Sequence, residues 1–222
     1  VTDFLTRAKE QGYTVPEPAF RQALDRLQNF IGYAKDFESG GEGRAYALYV
    51  LARNGRAPIG ELRYFVDTKL DAFSTPLAQA QLGAALAMLG DKPRAEKALN
   101  AALKAVDDKD DGIITRRDYG TSIRDGAALI ALASEAGLAK PSLPRLVDIV
   151  AKGYQSKKYT STQEQAWMLL AARALNEEAQ GMRLSLNGQE HKGQLMRGLS
   201  PDDLKAGALT VVNQGEQKVE AV

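Results

Sequence analysis

Carboxylate side chains are concentrated between residues 107 and 118, and their spacing is close to that of a calcium-binding loop. Asp107, Asp111, Gly112 and Asp118 fall at the first, fifth, sixth and twelfth positions of the EF-hand pattern. Lys109, however, occupies the third position, where an oxygen ligand is needed, and the twelfth position normally supplies a longer, bidentate Glu. We therefore interpret the stretch as a solvated acidic connection between helices and predict no metal site.

Two other carboxylates, Asp125 and Glu164, lie where helices are predicted to begin and could act as a catalytic acid and base. A glycosidase would need two such groups facing each other at roughly 5 to 9 Å across a cleft. Structural roles explain both residues better. The dipole and the free N–H groups of a helix N-terminus favour Asp125, and Arg124 can pair with a loop carbonyl or carboxylate. The segment Ser161-Thr162-Gln163-Glu164 has the pattern of a capping box.

The remaining candidates for chemistry are single residues. The chain has one histidine, His191, one tryptophan, Trp167, and no cysteine. A catalytic triad or a histidine metal site would have to be built around His191 alone, and its polar neighbours indicate an exposed hairpin connection. Trp167 shares an apolar stripe with Leu170 and Ala171, which favours core packing over ligand stacking. The sequence therefore predicts no catalytic residue, no cofactor-binding residue and no metal ligand.

Composition narrows the possible partners. The 29 Lys and Arg residues are balanced by 28 Asp and Glu, which leaves a formal charge of +1. Since no basic block is present, we expect nucleic acid not to be a partner. The longest apolar runs, such as Ala127 to Ala133, fall far short of the roughly 20 residues that a membrane span needs.

The helices that must position these groups are of two kinds, and the two kinds alternate along the chain. One kind carries a single apolar stripe, as in the helices that contain Phe20, Ile59, Ala95 and Leu143. The other kind is apolar almost all round and covers Ala45 to Ala52, Leu77 to Leu89, Ile123 to Ala133 and Ala166 to Leu175. Because a helix without a polar face must be covered on several sides, the alternation predicts two layers of antiparallel hairpins, closed into an α/α toroid or left as an open solenoid.

The predicted ends of these helices follow from local signals. Thr75-Pro76 is typical of an N-cap followed by proline at the first helical position. Gly55, Gly90 and Gly137 are predicted to end helices, since glycine readily adopts the left-handed conformation of a C-terminal cap.

At Gly181 the periodicity changes from helical to the two-residue alternation of strands. The predicted strands are Met182 to Asn187, Gln194 to Arg197 and Ala208 to Val212, with a helical turn at Ser200 to Asp203 and a hairpin turn at Asn213 to Gly215. The predicted fold is mainly α: a domain of helical hairpins over 1–180, then a β-strand segment of an adjoining domain over 181–222. Because Val1 is not a natural start, we expect the chain to be a piece of a longer protein.

Several strings along the chain resemble bacterial alpha-2-macroglobulins. Those in the helical part are similar to the later part of that family's thioester domain and comprise Val1 to Pro16, Tyr119 to Ala127 and Ser161 to Ala172. Leu184 to Gly188 and Leu209 to Gly215 resemble the β segments that follow that domain. The similarity spans nearly the whole chain in order. The thioester domain of that family is an α/α toroid, which agrees with the two-layer prediction.

This resemblance implies a non-catalytic fragment of a protease trap, an endopeptidase inhibitor that guards the cell envelope. Such proteins are large, exported to the bacterial periplasm and often lipid-anchored. A protease cuts a bait region, the molecule rearranges, and a thioester between Cys and Gln side chains captures the attacker. The implied partners are target proteases, neighbouring domains of the same chain and a peptidoglycan-synthesising penicillin-binding protein.

One feature of that family is absent from this chain. With no cysteine, the chain cannot contain the Cys-Leu-Glu-Gln type motif or its thioester. Either the motif lies upstream, which we expect, or the parent lacks it, as some members do. No functional residue of the family is carried over to this chain.

Two other functions are compatible with the sequence. An α/α toroid that acts on carbohydrate or lipid would require Asp125 and Glu164 to meet in a cleft. An open helical solenoid would instead serve as a binding scaffold with a continuous concave face.

Overall fold

The helices of the chain are seen in a computed structural model that describes residues 1–33, 40–106, 118–138, 142–193, 195 and 208–215. The chain divides into two compact units, Val1–Ala171 and Ala172–Val222. The helices among the described residues are α1 (Thr2–Glu10), α2 (Glu17–Tyr33), α3 (Glu42–Arg53), α4 (Ile59–Thr68), α5 (Pro76–Met88), α6 (Lys92–Ala105), α7 (Ser122–Glu135), α8 (Leu143–Ser156) and α9 (Thr162–Gln180), with a 3-10 turn at Leu70–Ala72.

Helix α5 lies at the centre of the first unit, where it packs against α3, α4, α6 and α7. Most of its side chains are buried, and Leu82 and Leu86 are completely inaccessible. Helices α3 and α7 are buried in the same way, whereas α2, α4, α6 and α8 each bury one face. The predicted alternation is therefore confirmed from α2 to α8, and with it the mainly α fold. Closure of the hairpins into a toroid stays a prediction.

Helix α9 departs from the predicted pattern. The apolar stretch Ala166 to Leu175 predicts a buried helix, yet Leu169 is 71% exposed and Trp167 is only half-buried. Among the side chains of α9 that the structure describes, those of Glu164 and Ala171 are buried. The prediction of burial is wrong here, and so is the prediction that Trp167 packs in the core. An apolar composition shows what a helix could bury, but it does not show whether another element lies against it.

The predicted helix ends are confirmed both for the N-terminal cap at Thr75 and for the C-terminal glycine caps. Thr75 begins α5, and its Oγ1 accepts a hydrogen bond from the Ala78 N–H at 3.1 Å. Gly90 ends the same helix with a φ of +81°. The N–H groups of Gly90 and Asp91 donate back to helix carbonyls at 3.0 and 2.9 Å, which is the Schellman pattern. The same arrangement ends α3 and α7, at Gly55 and Gly137.

Glycine at position 83 determines how closely α5 and α6 approach each other. A Cβ atom built on Gly83 would lie 2.8 Å from Leu99 Cγ and 3.1 Å from the carbonyl oxygen of Ala95. Gly153 has the same role between α8 and α7, since its Cβ would lie 2.6 Å from Ile123 Cγ1. Only a hydrogen atom fits at these crossings, so the buried helices are packed tightly against their outer partners.

We expect Gly83→Ala to lower the free energy of unfolding by up to about 2 kcal/mol, because overpacking costs roughly 1–3 kcal/mol and the gain in helix propensity returns about 1 kcal/mol. Gly60→Ala in α4 is the matched control. Nothing lies within 4 Å of a Cβ at Gly60, so this change should raise the stability by about 0.5–1 kcal/mol. Urea unfolding of both variants measures the difference. A Gly83→Ala protein as stable as the Gly60→Ala protein would show that α5 and α6 separate at no cost.

The second unit contains an antiparallel sheet with the strand order β2-β1-β3 among the described residues. The strands are β1 (Arg183–Leu186), β2 (Gln189–Lys192) and β3 (Val211–Asn213). Asn187 and Gly188 have φ angles of 48° and 83°, as a two-residue type I′ hairpin turn requires. The short β segment is thus confirmed.

The details of this sheet correct the predicted one. The connection after β1 is only the Asn187-Gly188 turn, so residues 189–192 form a strand rather than the predicted exposed connection. The strand predicted at Gln194 to Arg197 and the turn at Ser200 to Asp203 lie outside the described residues, apart from Leu195. At the end of β3, Asn213 Oδ1 accepts a hydrogen bond from the Gly215 N–H at 2.9 Å. The hairpin predicted there stays a prediction.

The domain boundary predicted between residues 180 and 181 also stays a prediction, since α9 runs across the division between the two units.

None of the helices in the described part of the chain is both long enough and apolar enough to cross a membrane.

Candidate functional site

Arg124 is the centre of a buried polar network at the beginning of α7. Its Nε and Nη2 donate to Oδ1 of Asp125 at 3.0 and 2.7 Å. Nη2 also donates to Oδ2 of Asp118 at 2.5 Å, and Nη1 donates to the Asp118 carbonyl oxygen at 2.7 Å. Arg124 and Asp125 are 2% and 1% exposed. The predicted pairing of Arg124 with a loop carbonyl and a carboxylate is confirmed.

Thr121 connects this network to the first turn of α9. Its Oγ1 accepts a hydrogen bond from the Arg124 N–H at 3.2 Å, which caps α7, and its hydroxyl donates to Glu164 Oε1 at 2.7 Å. Glu164 closes the predicted capping box: its Oε2 accepts from the Ser161 N–H at 2.6 Å, and its own N–H donates to Ser161 Oγ at 3.2 Å. Two helix starts that lie 40 residues apart in sequence, at Ser122 and Thr162, are joined by one hydroxyl group.

Glu164 is held in its ionised form. Burial works against its ionisation, but the Ser161 N–H, the Thr121 hydroxyl and Lys157 outweigh burial, so the pKa of Glu164 lies below its ordinary value. Lys157 Nζ lies 3.1 Å from Glu164 Oε1. A general acid or base works best with a pKa near the operating pH, and a lowered carboxylate pKa moves away from it. With Asp125 bound by Arg124 and Glu164 bound by Thr121, Ser161 and Lys157, both act as structural groups.

A cavity of about 410 Å³ lies beside Arg124, where the first turns of α3, α5, α7 and α9 meet. The residues that line it include the aromatic residues Tyr46 and Trp167 and the polar residues Glu42, Gln81, Asp118 and Gln163. Of these residues, sequence analysis considered Trp167 and Asp118 but missed Gln81. The available signal was a pair of glutamines, Gln79 and Gln81, inside an otherwise apolar helix.

A second polar network joins α1, α3 and α7 near their C-terminal ends. Tyr49 is completely buried, and its hydroxyl donates to Glu135 Oε2 at 2.5 Å. The same hydroxyl oxygen accepts from Arg7 Nη2 at 2.8 Å and from Arg53 Nη1 at 2.7 Å. Both guanidiniums also pair with Glu135, at 3.0 and 2.8 Å. Nothing in the spacing of these residues predicted the network.

The charges in this second network shift the acidity of its members. Burial raises the pKa of the Tyr49 phenol, and the Glu135 carboxylate raises it further, so the hydroxyl keeps its proton. Burial works against ionisation of Glu135, but Arg53 and Arg7 outweigh burial and hold the pKa of Glu135 below its ordinary value. The network therefore places two cations and a neutral hydroxyl around Glu135, and the same two guanidiniums also pair with Asp3 and Glu10.

The other residues singled out in the sequence lie elsewhere or outside the described residues. The acidic stretch 107–117 is not part of the described chain. Asp118, its last member, bonds Arg124 and accepts from the Gly120 N–H at 3.2 Å. His191 is a half-buried residue of β2 that lies opposite Leu184 in β1. Among the residues that the structure describes, no group of three or more His, Asp or Glu could hold a metal ion.

Comparison with known proteins gives a family for this fold. No family model matches the chain. Over 98% of its length, however, the chain is 33% identical to alpha-2-macroglobulin of Escherichia coli, and over 79% it is 32% identical to alpha-2-macroglobulin of Xylella fastidiosa. The chain is a homologue of bacterial alpha-2-macroglobulin. It spans only 14% of the E. coli protein and 11% of the Xylella protein, and so corresponds to a segment of each.

Solved structures show that this homologue corresponds to part of the C-terminal region of alpha-2-macroglobulin. Native E. coli alpha-2-macroglobulin from domain MG7 to the C-terminus matches 98% of the chain with a TM-score of 0.69 and 30% identity, and the chain covers 35% of it. E. coli alpha-2-macroglobulin activated by porcine elastase matches 97% of the chain with a TM-score of 0.68 and 30% identity, and the chain covers 20% of it. The native and activated forms are thus matched about equally well.

Proposed function

We propose that the chain is a non-catalytic segment of a protease trap, an endopeptidase inhibitor of the bacterial alpha-2-macroglobulin type. The observation that carries this proposal is the 33% identity to the E. coli protein along 98% of the chain. That relative is activated by a protease, porcine elastase. The partners of the longer protein are accordingly target proteases, and those of this segment are the neighbouring domains of the same chain.

Within the trap, the role that we assign to the helical unit is that of a rigid body. The chain matches the native and the elastase-activated E. coli protein with TM-scores of 0.69 and 0.68, which supports a fold that survives activation. The Arg124 network joins α7 to α9, and the Tyr49 network joins α1, α3 and α7. Because each network buries charged groups, separating these helices would leave charges without partners, which is costly.

We assign residues 1–180 to the later part of the thioester domain and residues 181–222 to the β domain that follows. The resemblance of the strings from Val1, Tyr119 and Ser161 supports this assignment. The same resemblance supports a periplasmic protein, anchored by lipid and working alongside a penicillin-binding protein. Since the chain has no cysteine, covalent capture requires a thioester cysteine from outside these 222 residues.

We expect the 222-residue chain by itself to leave elastase fully active, because trapping requires domains that enclose the protease. In the longer protein that carries this segment, elastase should still cleave a short chromogenic peptide, while its cleavage of a large protein substrate is blocked. Parallel assays with both substrates measure this, and a denaturing gel detects any covalent adduct. Inhibition of both substrates, or of neither, would contradict a trap.

The alternative function, an enzyme that acts on carbohydrate or lipid, would need Asp125 and Glu164 as its catalytic carboxylates. Asp125 and Glu164 are each occupied by structural hydrogen bonds, so we propose no reaction for the chain.

A further inference from the structure

Gln81 is 3% exposed and lies in the second turn of α5, where it is one of the residues that line the 410 Å³ cavity. Among the described residues, no hydrogen bond of its side-chain amide is found. A primary amide offers two N–H donors and one oxygen acceptor. Because this amide has no partner among the described residues, its donors and its acceptor are available to a ligand in the cavity.

The walls of the cavity combine an aromatic surface with polar groups from different directions. Trp167 is half-buried, and it lines the cavity together with Tyr46. The polar side chains come from four helices or their approaches: Glu42 in α3, Gln81 in α5, Asp118 and Arg124 at α7, and Gln163 in α9. A volume of about 410 Å³ lies within the roughly 300–1,000 Å³ of small-molecule sites.

The charges around the cavity are nearly balanced. Arg124 is paired with Asp118 and Asp125, and Glu42 accepts a hydrogen bond from the Ser74 hydroxyl at 2.9 Å. One guanidinium and three carboxylates leave two negative charges, and four helix N-termini of roughly +0.5 charge each offset them. A strongly charged ligand of either sign therefore gains little in this cavity.

We propose that this cavity binds a neutral sugar ring. The apolar C–H face of a sugar can lie against Trp167, while hydroxyls around the ring edge both donate and accept hydrogen bonds. Such hydroxyls match a primary amide and carboxylates that approach from several helices, whereas an extended peptide presents its polar groups along only two edges. This binding is independent of protease trapping.

Trp167 makes the proposal directly measurable, because it is the only tryptophan in the chain. Titration of the 222-residue protein with glucose and with N-acetylglucosamine should give a saturable change in tryptophan emission for at least one of them. Gln81→Leu should weaken that binding by about tenfold or more, since the ligand loses the partner of its hydrogen bonds.

Two further variants keep the test decisive. Gln165→Leu, also on α9 but outside the cavity, should bind like the unaltered chain. Gln163→Leu changes an exposed cavity residue and should weaken binding even if Gln81→Leu fails to fold. The proposal would be overturned if neither sugar gave a saturable change, or if the folded Gln81→Leu and Gln163→Leu proteins both bound the sugar as tightly as the unaltered chain. Phosphate and lysine serve as charged control ligands, and a saturable response to either of them but to neither sugar would also overturn it. A negative result here leaves the protease assays unaffected, so the two proposals fail separately.

Discussion

Arg124→Met should lower the free energy of unfolding by about 3–5 kcal/mol, because it removes the guanidinium that pairs with buried Asp125 and with partly buried Asp118. Asp125 is 1% exposed and takes two hydrogen bonds from Arg124, and the side chain of Asp118 is 14% exposed. Methionine keeps most of the volume of arginine but none of its donors. Urea unfolding followed by circular dichroism measures the loss.

The matched control is Arg173→Met in α9. Arg173 pairs with Glu177 at 2.8 Å, but the two side chains are 49% and 58% exposed, so its removal should cost about 0.5 kcal/mol or less. Adding Asp125→Leu to Arg124→Met should recover part of the stability, because the unpaired buried charge is then removed as well. Equal stability of the Arg124→Met and Arg173→Met proteins would rule out a structural role for the network.

Glu135→Gln should lower the free energy of unfolding by about 2–3 kcal/mol at neutral pH. Glu135 is the only carboxylate in the described contacts of the Tyr49 hydroxyl, and it pairs with both Arg7 and Arg53. After the change, Arg7 and Arg53 keep their pairs with Asp3 and Glu10, but they meet a neutral amide in place of the Glu135 carboxylate, and the contacts between α1, α3 and α7 weaken. Glu177→Gln removes an exposed carboxylate of the same type and should cost about 0.5 kcal/mol or less.

The pH dependence of this difference tests its electrostatic origin. The pKa of Glu135 is lower in the folded chain than its ordinary value of 4.5, so the unfolded state binds protons more readily. Its contribution to stability is therefore complete above that ordinary pKa and is lost as the pH falls through the lower, folded-state pKa. The gap between the unaltered and Glu135→Gln proteins should shrink on acidification. A gap that stays constant would assign the effect to packing instead.

The polar residues around the cavity beside Arg124 differ in their hydrogen bonding. Arg124 and Glu164 are held by hydrogen bonds within the fold, whereas Gln81 lines the cavity and its side chain has no hydrogen bond among the described residues. This contrast within one network is why Gln81, rather than either candidate carboxylate, carries the binding proposal.

Local signals in the sequence predicted the helix ends correctly. Thr75-Pro76, Gly90 and the Ser161 to Glu164 capping box each depend on atoms within a few residues of one another, so the sequence contains all the partners. The alternation of apolar and amphipathic helices from α2 to α8 was also predicted correctly, because the apolar or polar composition of each helix face indicated whether that face is buried. The same approach missed the strand β2, since the polar residues 189–192 do not show the alternation of a half-buried strand.

The sequence by itself determined the mainly α fold, the two kinds of helix from α2 to α8, and, through its resemblance to bacterial alpha-2-macroglobulins, the family. Only the tertiary structure decided that α9 is largely exposed, that Tyr49 meets Glu135, and that Gln81 lines a cavity with Trp167. The physical reason is distance along the chain. Tyr49 and Glu135 are separated by 86 positions, and their contact exists only because α3 and α7 both pack against α5. A helix pattern specifies which face is buried, but the packing of whole helices decides which polar side chains meet on it.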